Sequence, residues 1–140
     1  MWITTQFGNV YTRLFCYLVA VIPLMLALCR LYDEFLAIGG KPETKHPLSF
    51  VVEGSKYLKE WFGNGIETRI PIHGIDRKHI SFTLGDSGAE YGRNGSVKLL
   101  GLQDMTELLA KQTGDFDDFL NSIGKQYVEV QLWSDKYIIL

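Results

Sequence analysis

The chain has 140 residues, 46% of them hydrophobic, with 14 Lys and Arg against 16 Asp and Glu for a formal charge of −2. One domain fits that length, and the interspersed charges exclude the basic face of a nucleic-acid binder and the acidic tail of a solvating segment. Both cysteines, Cys16 and Cys29, fall in one apolar stretch, so the remainder has no disulfide framework, no thiolate nucleophile and no cysteine zinc site.

That stretch is the first element. Residues 14–29 read LFCYLVAVIPLMLALC, sixteen positions without a charge, bracketed by Arg13 and Arg30. As a helix it spans roughly 24 Å, short of a hydrocarbon core of about 30 Å. Snorkelling arginines, interfacial Tyr11, Tyr17 and Tyr32, and apolar Leu31, Phe35, Leu36 and Ile38 lengthen the helix to about 10–38. Its nine Leu, Ile, Val and Phe side chains contribute about 3–5 kcal/mol toward insertion, set against Pro23, Tyr17 and the arginines.

The expectation is a signal-anchor that crosses the membrane once, with residues 1–38 as tail and transmembrane helix and lipid covering 14–29. A cleaved signal peptide fits less well because no Ala-x-Ala site follows the run. A lipoprotein signal ending at Cys29 lacks the small residue that normally precedes the cysteine, since Leu28 stands there. A helix covered by protein instead of lipid is the remaining alternative. Arg30, Lys41 and Lys45 after the span would hold the domain in the cytoplasm. Pairing of Arg30 with Asp33 and Glu34, and the short N-terminal tail, argue for the extracytoplasmic side, which is the location expected.

Residues 39–47 carry two glycines and two prolines without apolar periodicity and form a linker. Leu48, Val51, Val52, Tyr57, Leu58, Trp61 and Phe62 recur near a 3.6-residue spacing and predict a helix over 47–62. Ile66, Thr68, Ile70 and Ile72 alternate with polar residues and Pro71, as do Ile80, Phe82 and Leu84 with theirs, which predicts a hairpin turning at 74–77. Residues 85–96 form a loop, 97–102 a short strand, and 103–112 a short helix. Asp115 caps a helix over 116–123 that ends at Gly124. A terminal hairpin pairs 127–133 with 136–140 around Ser134 and Asp135. Helices clustered beside hairpins define an α+β domain over 48–140, a mainly antiparallel sheet with two or three helices.

Four groups of residues carry possible chemistry. Gly85-Asp86-Ser87-Gly88 matches the tetrapeptide around a serine-protease nucleophile, and His73, Asp76 and Ser87 follow that family's chain order. The same four residues suit a turn between strands, and the glycine-proline continuation is missing. His73, Asp76 and His79 offer two imidazoles and a carboxylate at three-residue spacing, opposed by neighbouring Arg77 and Lys78. Asp115, Asp117 and Asp118 lack the glycine and glutamate of a calcium loop, and helix capping accounts for them. Residues 85–95 lack the lysine of a phosphate loop, and Asn94-Gly95-Ser96 is a turn that also spells a glycosylation sequon. No metal or cofactor is expected, and catalytic residues stay unassigned.

Among the aromatics, Trp133 and Tyr137 flank the last turn and are the expected anchors for a protein partner. The function expected is a membrane-anchored binding protein: an inhibitor, an immunity-type factor or an envelope-assembly subunit. The alternatives are a membrane-tethered hydrolase using His73, Asp76, His79 or Ser87, and a soluble homo-oligomer with the N-terminal helix as its interface.

Overall fold

The computed structural model describes residues 2–7, 30–57, 60 and 66–138. β1 (Trp2–Phe7), β2 (Leu48–Val52), β3 (Ile66–Pro71), β4 (Ile80–Leu84) and β5 (Val128–Leu132) form one sheet in the order β3-β1-β2-β5-β4. Every neighbouring pair is antiparallel. Helix α1 is described over residues 30–37, followed by α2 (Ser87–Asn94), α3 (Leu102–Ala110) and α4 (Phe116–Ile123). The α+β class is as expected, with a wholly antiparallel sheet.

The strand pattern fixes two unlike faces. Ile80 and Phe82 of β4 lie opposite Leu132 and Val130 of β5, and Phe50 of β2 lies opposite Val130 from the other side. These apolar residues pack with Met105 of α3 and with Phe119 and Leu120 of α4 in one cluster. Full burial of each such side chain stabilises by roughly 1.5–3 kcal/mol. Helix α4 ends where its sequence says it should. Asp115 caps it by accepting from Asp118 N–H at 2.9 Å, and Gly124 closes it with φ 64°.

A second cluster joins Leu31 and Phe35 of α1 to Val97, Leu99 and Trp133. Phe35 stacks on the Trp133 indole at 4.9 Å and 9°, and Tyr32 meets its edge at 6.0 Å. Gly40 lies under the Phe35 ring, 2.5 Å from where a Cβ would sit, so no larger residue fits there.

Several expectations change. The boundary that set residues 1–38 apart moves, because β1 is an inner strand and α1 buries Leu31 and Phe35 against protein, not lipid. The apolar run 14–29 lies outside the described residues. Among those described, no helix is long and apolar enough to cross a membrane. Residues 39–47 are strapped to the domain, with Lys41 N–H donating to Lys78 C=O and Glu43 N–H to Trp133 C=O, both at 2.8 Å.

Residues 48–52 form a strand instead of the start of a helix, since Leu48, Phe50 and Val52 fit a two-residue period and both neighbouring strands supply partners. The hairpin between 66–72 and 80–84 does not form. β3 and β4 are the two opposite edges of the sheet, linked through the 3-10 turns Ile72–Gly74 and Arg77–His79. Residues 87–94 are helix α2 in place of a loop, and 97–102 contribute only a bridge from Leu100 to Phe82 along the outer edge of β4. After β5 comes the 3-10 turn Asp135–Tyr137, and the described residues contain no returning strand.

Candidate functional site

Three segments far apart in sequence are clamped together by the backbone of Trp133. Its N–H donates to His79 C=O at 2.8 Å, and its C=O accepts from Glu43 N–H at 2.8 Å and Thr44 N–H at 3.3 Å. The clamp brings the side chains of Glu43, His79 and Tyr137 into one cluster. His79 Nδ1 lies 2.8 Å from Tyr137 Oη, and Nε2 lies 3.4 Å from Glu43 Oε1. Asp76 N–H donates to the same phenol oxygen at 3.0 Å. Lys136 Nζ sits 3.3 Å from Glu43 Oε1, and the Ser134 hydroxyl donates to Glu43 Oε2.

Asp76 N–H fills one acceptor position of the phenol oxygen, and the His79 tautomer decides whether Tyr137 donates to Nδ1 or accepts from it. The Ser134 hydroxyl, helped by the Lys136 ammonium and by His79, holds the Glu43 carboxyl below its ordinary range. The arrangement is a phenol–imidazole–carboxylate relay, hydrogen-bonded at Nδ1 and with the Glu43 carboxyl 3.4 Å from Nε2.

A second polar group lies on the face of β4 and β5 opposite the apolar core. Trp133 Nε1 donates to Ser81 Oγ at 2.9 Å, and Ser81 Oγ donates to Gln131 Oε1 at 2.9 Å. Gln131 Nε2 reaches Thr83 Oγ1 and Glu129 Oε1, both at 3.0 Å. The Glu129 carboxylate also receives Ser87 Oγ at 2.7 Å and Ser87 N–H at 2.9 Å. Desolvation raises the Glu129 carboxyl above its ordinary range, against the pull of those donors.

The residues singled out from sequence go to different places. His79 and Tyr137 meet in the relay, while His73 is exposed on the preceding turn. Asp76 spends its carboxylate on Lys78 N–H at 2.9 Å. The Ser87 hydroxyl donates to a carboxylate and not to an imidazole. His73, Asp76, His79 and Ser87 therefore do not form a hydrogen-bonded Ser–His–Asp set. Among the described residues no three His, Cys, Asp or Glu side chains could hold a metal ion. Asp86 caps α2 by accepting Ala89 N–H at 2.7 Å, and Asp117 pairs with Lys56 at 2.7 Å.

Trp133 requires a correction. It is 0% exposed, with its ring between Phe35 and Tyr32 and its N–H on Ser81, so it presents no face to a docking partner. Tyr137 is half-buried. Sequence reasoning missed Glu43, Ser81, Glu129, Gln131 and Ser134. Ser81/Thr83 and Glu129/Gln131 alternate with apolar residues as a solvent face would. Only Trp133, which continues the same alternation, hinted that this face is covered. Nothing around Glu43 signals its partners.

A cleft of about 310 Å³ opens between the end of α1 and the start of α3, lined by Ile38, Arg77, Lys78, Leu102 and Asp104 among others. No protein-family model matches this chain, and no curated protein or solved structure matches it either.

Proposed function

We propose that the chain is a small interaction protein held at a membrane by residues 14–29, its α+β domain engaging a protein partner close to the bilayer. The observation that carries this is the uncharged run between Arg13 and Arg30. The buried apolar side chains among the described residues, from Leu31 to Trp133, pack into two protein cores of their own. Lipid covering the run gains about 3–5 kcal/mol from its Leu, Ile, Val and Phe side chains. Attachment also raises the local concentration of the domain toward a partner in the same membrane.

Binding is favoured over hydrolysis because the Ser87 hydroxyl donates to Glu129 and His79 Nδ1 is hydrogen-bonded to Tyr137. Tyr137, half-buried with Lys136 Nζ 5.2 Å from its ring centroid, is the residue proposed to meet the partner. An inhibitor, an immunity-type factor or an envelope subunit on the extracytoplasmic side fits this reading. The test is flotation of the full chain with membranes, followed by sizing after mild detergent release. Retention with membranes and a stoichiometric complex larger than 15.9 kDa are expected. A chain that stays monodisperse in detergent-free buffer overturns the proposal, and a defined multiple of its mass there identifies the homo-oligomer instead.

A further inference from the structure

Helix α2 ends on an Asn94-Gly95 pair whose two residues are both exposed. Asparagine before glycine is the pairing in which the next backbone nitrogen reaches the side-chain carbonyl most easily, because no Cβ shields it. Around Gly95 there is also open space, since a Cβ built there would meet nothing within 4 Å. Two hydrogen bonds occupy the groups that would react. Gly95 N–H donates to Tyr91 C=O at 2.8 Å, closing the turn with Gly95 at φ 67°. Asn94 Nδ2 donates to Glu90 Oε2 at 3.0 Å. Glu90 is itself held by Lys125 Nζ at 2.7 Å and by Arg93 at 2.9 Å.

We propose that Asn94 is a spontaneous modification site of the folded protein, converted to aspartate or isoaspartate at a rate set by opening of the last turn of α2. In the opened turn the Gly95 nitrogen gives its proton to solvent base and attacks Asn94 Cγ. The N–Cγ bond forms, the Cγ–Nδ2 bond breaks, and Nδ2 leaves as ammonia with a proton returned by solvent. Water then opens the cyclic imide at one carbonyl or the other, so water is the only co-reactant. The product works against the turn that restrained it. A carboxylate replaces the amide donor beside Glu90, one helical turn away and like-charged, at the negative end of the α2 dipole. Isoaspartate also adds one main-chain carbon shortly before Val97, which is buried in the Trp133 cluster. Modification therefore loosens the end of α2, and nothing in the chemistry reverses it.

The test is a peptide map of the full chain aged at mildly alkaline pH, either folded or unfolded in urea. Cleavage after Arg93 and Lys98 isolates residues 94–98, which report Asn94 apart from the other Asn-Gly pair at Asn64 and Gly65. Conversion in the folded chain about tenfold slower than in urea is expected, as for a fraying helix end. No conversion in the folded chain overturns the proposal, and equal rates overturn the control by α2. Asp86→Ala removes the exposed cap at the other end of α2. It should keep the far-ultraviolet spectrum and speed conversion about fivefold, the opening equivalent of a lost N-cap. An unchanged rate in that variant also overturns the control by α2. Asn94→Asp, which copies the product, should raise hydrogen exchange of the Gly95 amide about threefold. Unchanged exchange overturns the loosening.

Discussion

On one face of β4 and β5, Ile80, Phe82, Val128, Val130 and Leu132 are 0% exposed; on the other, Ser81 and Gln131 are 0% exposed and Thr83 is 2%. Equal burial is thus reached through opposite chemistry. The apolar face gains from area removed from water and tolerates shape changes that keep its volume. The polar face gains little per bond, about 0.5–1.5 kcal/mol net, but losing one partner strands another at about 1–3 kcal/mol. Its larger effect is on register. A one-residue slip of β5 would carry Gln131 and Glu129 into the core and Val130 out of it.

The contrast predicts an order of costs. Phe82→Ala, at the centre of the apolar face, should lower unfolding stability by about 3–5 kcal/mol, read as a drop in the urea midpoint. Ser81→Ala should cost about 1–3 kcal/mol, because it strands both the Trp133 N–H and Gln131 Oε1. Equal costs for the two would break the comparison. A cycle combining Ser81→Ala with Gln131→Leu sharpens it, with a coupling of about 0.5–3 kcal/mol expected from their shared bond. Away from both faces, Asp115→Ala removes the cap of α4 and should cost about 1 kcal/mol in the same measurement.

The last effect is a slope. Burial, with Asp86 nearby, keeps the Glu129 carboxyl above its ordinary range. The folded state therefore holds that proton more readily than the unfolded chain does. Stability from this group is complete below the ordinary carboxylate range and is lost as pH rises through the raised value. Glu129→Gln should flatten the decline of the urea midpoint over that window. An unaltered slope would show that the Ser87 and Gln131 donors outweigh burial.

Local signals were read well where a short stretch decides its own structure. Asp115 and Gly124 bracket α4 over Phe116–Ile123 because cap and stop lie within the helix itself. Partners were read poorly, since pairing is decided by strands distant in sequence. β3 and β4 look like a hairpin along the chain, yet β1 and β5 are the strands they pair with. At the site, Tyr137 and His79 were visible as residues, but their union with Glu43 depends on the backbone of Trp133, which no spacing encodes. Ser81 and Gln131 looked solvated because alternation distinguishes two faces without saying what covers either.

The placement of β1 also sets a timetable for synthesis. Its ladder partner β3 is translated about sixty residues later. At roughly 5–20 residues per second, β1 waits about 3–12 seconds before this neighbour leaves the ribosome. Until β2 is made, earlier in that interval, the nascent chain has the sticky end of a sheet and no sheet. This half of the fold must close late, around a β2–β5–β4 core whose last strand is later still.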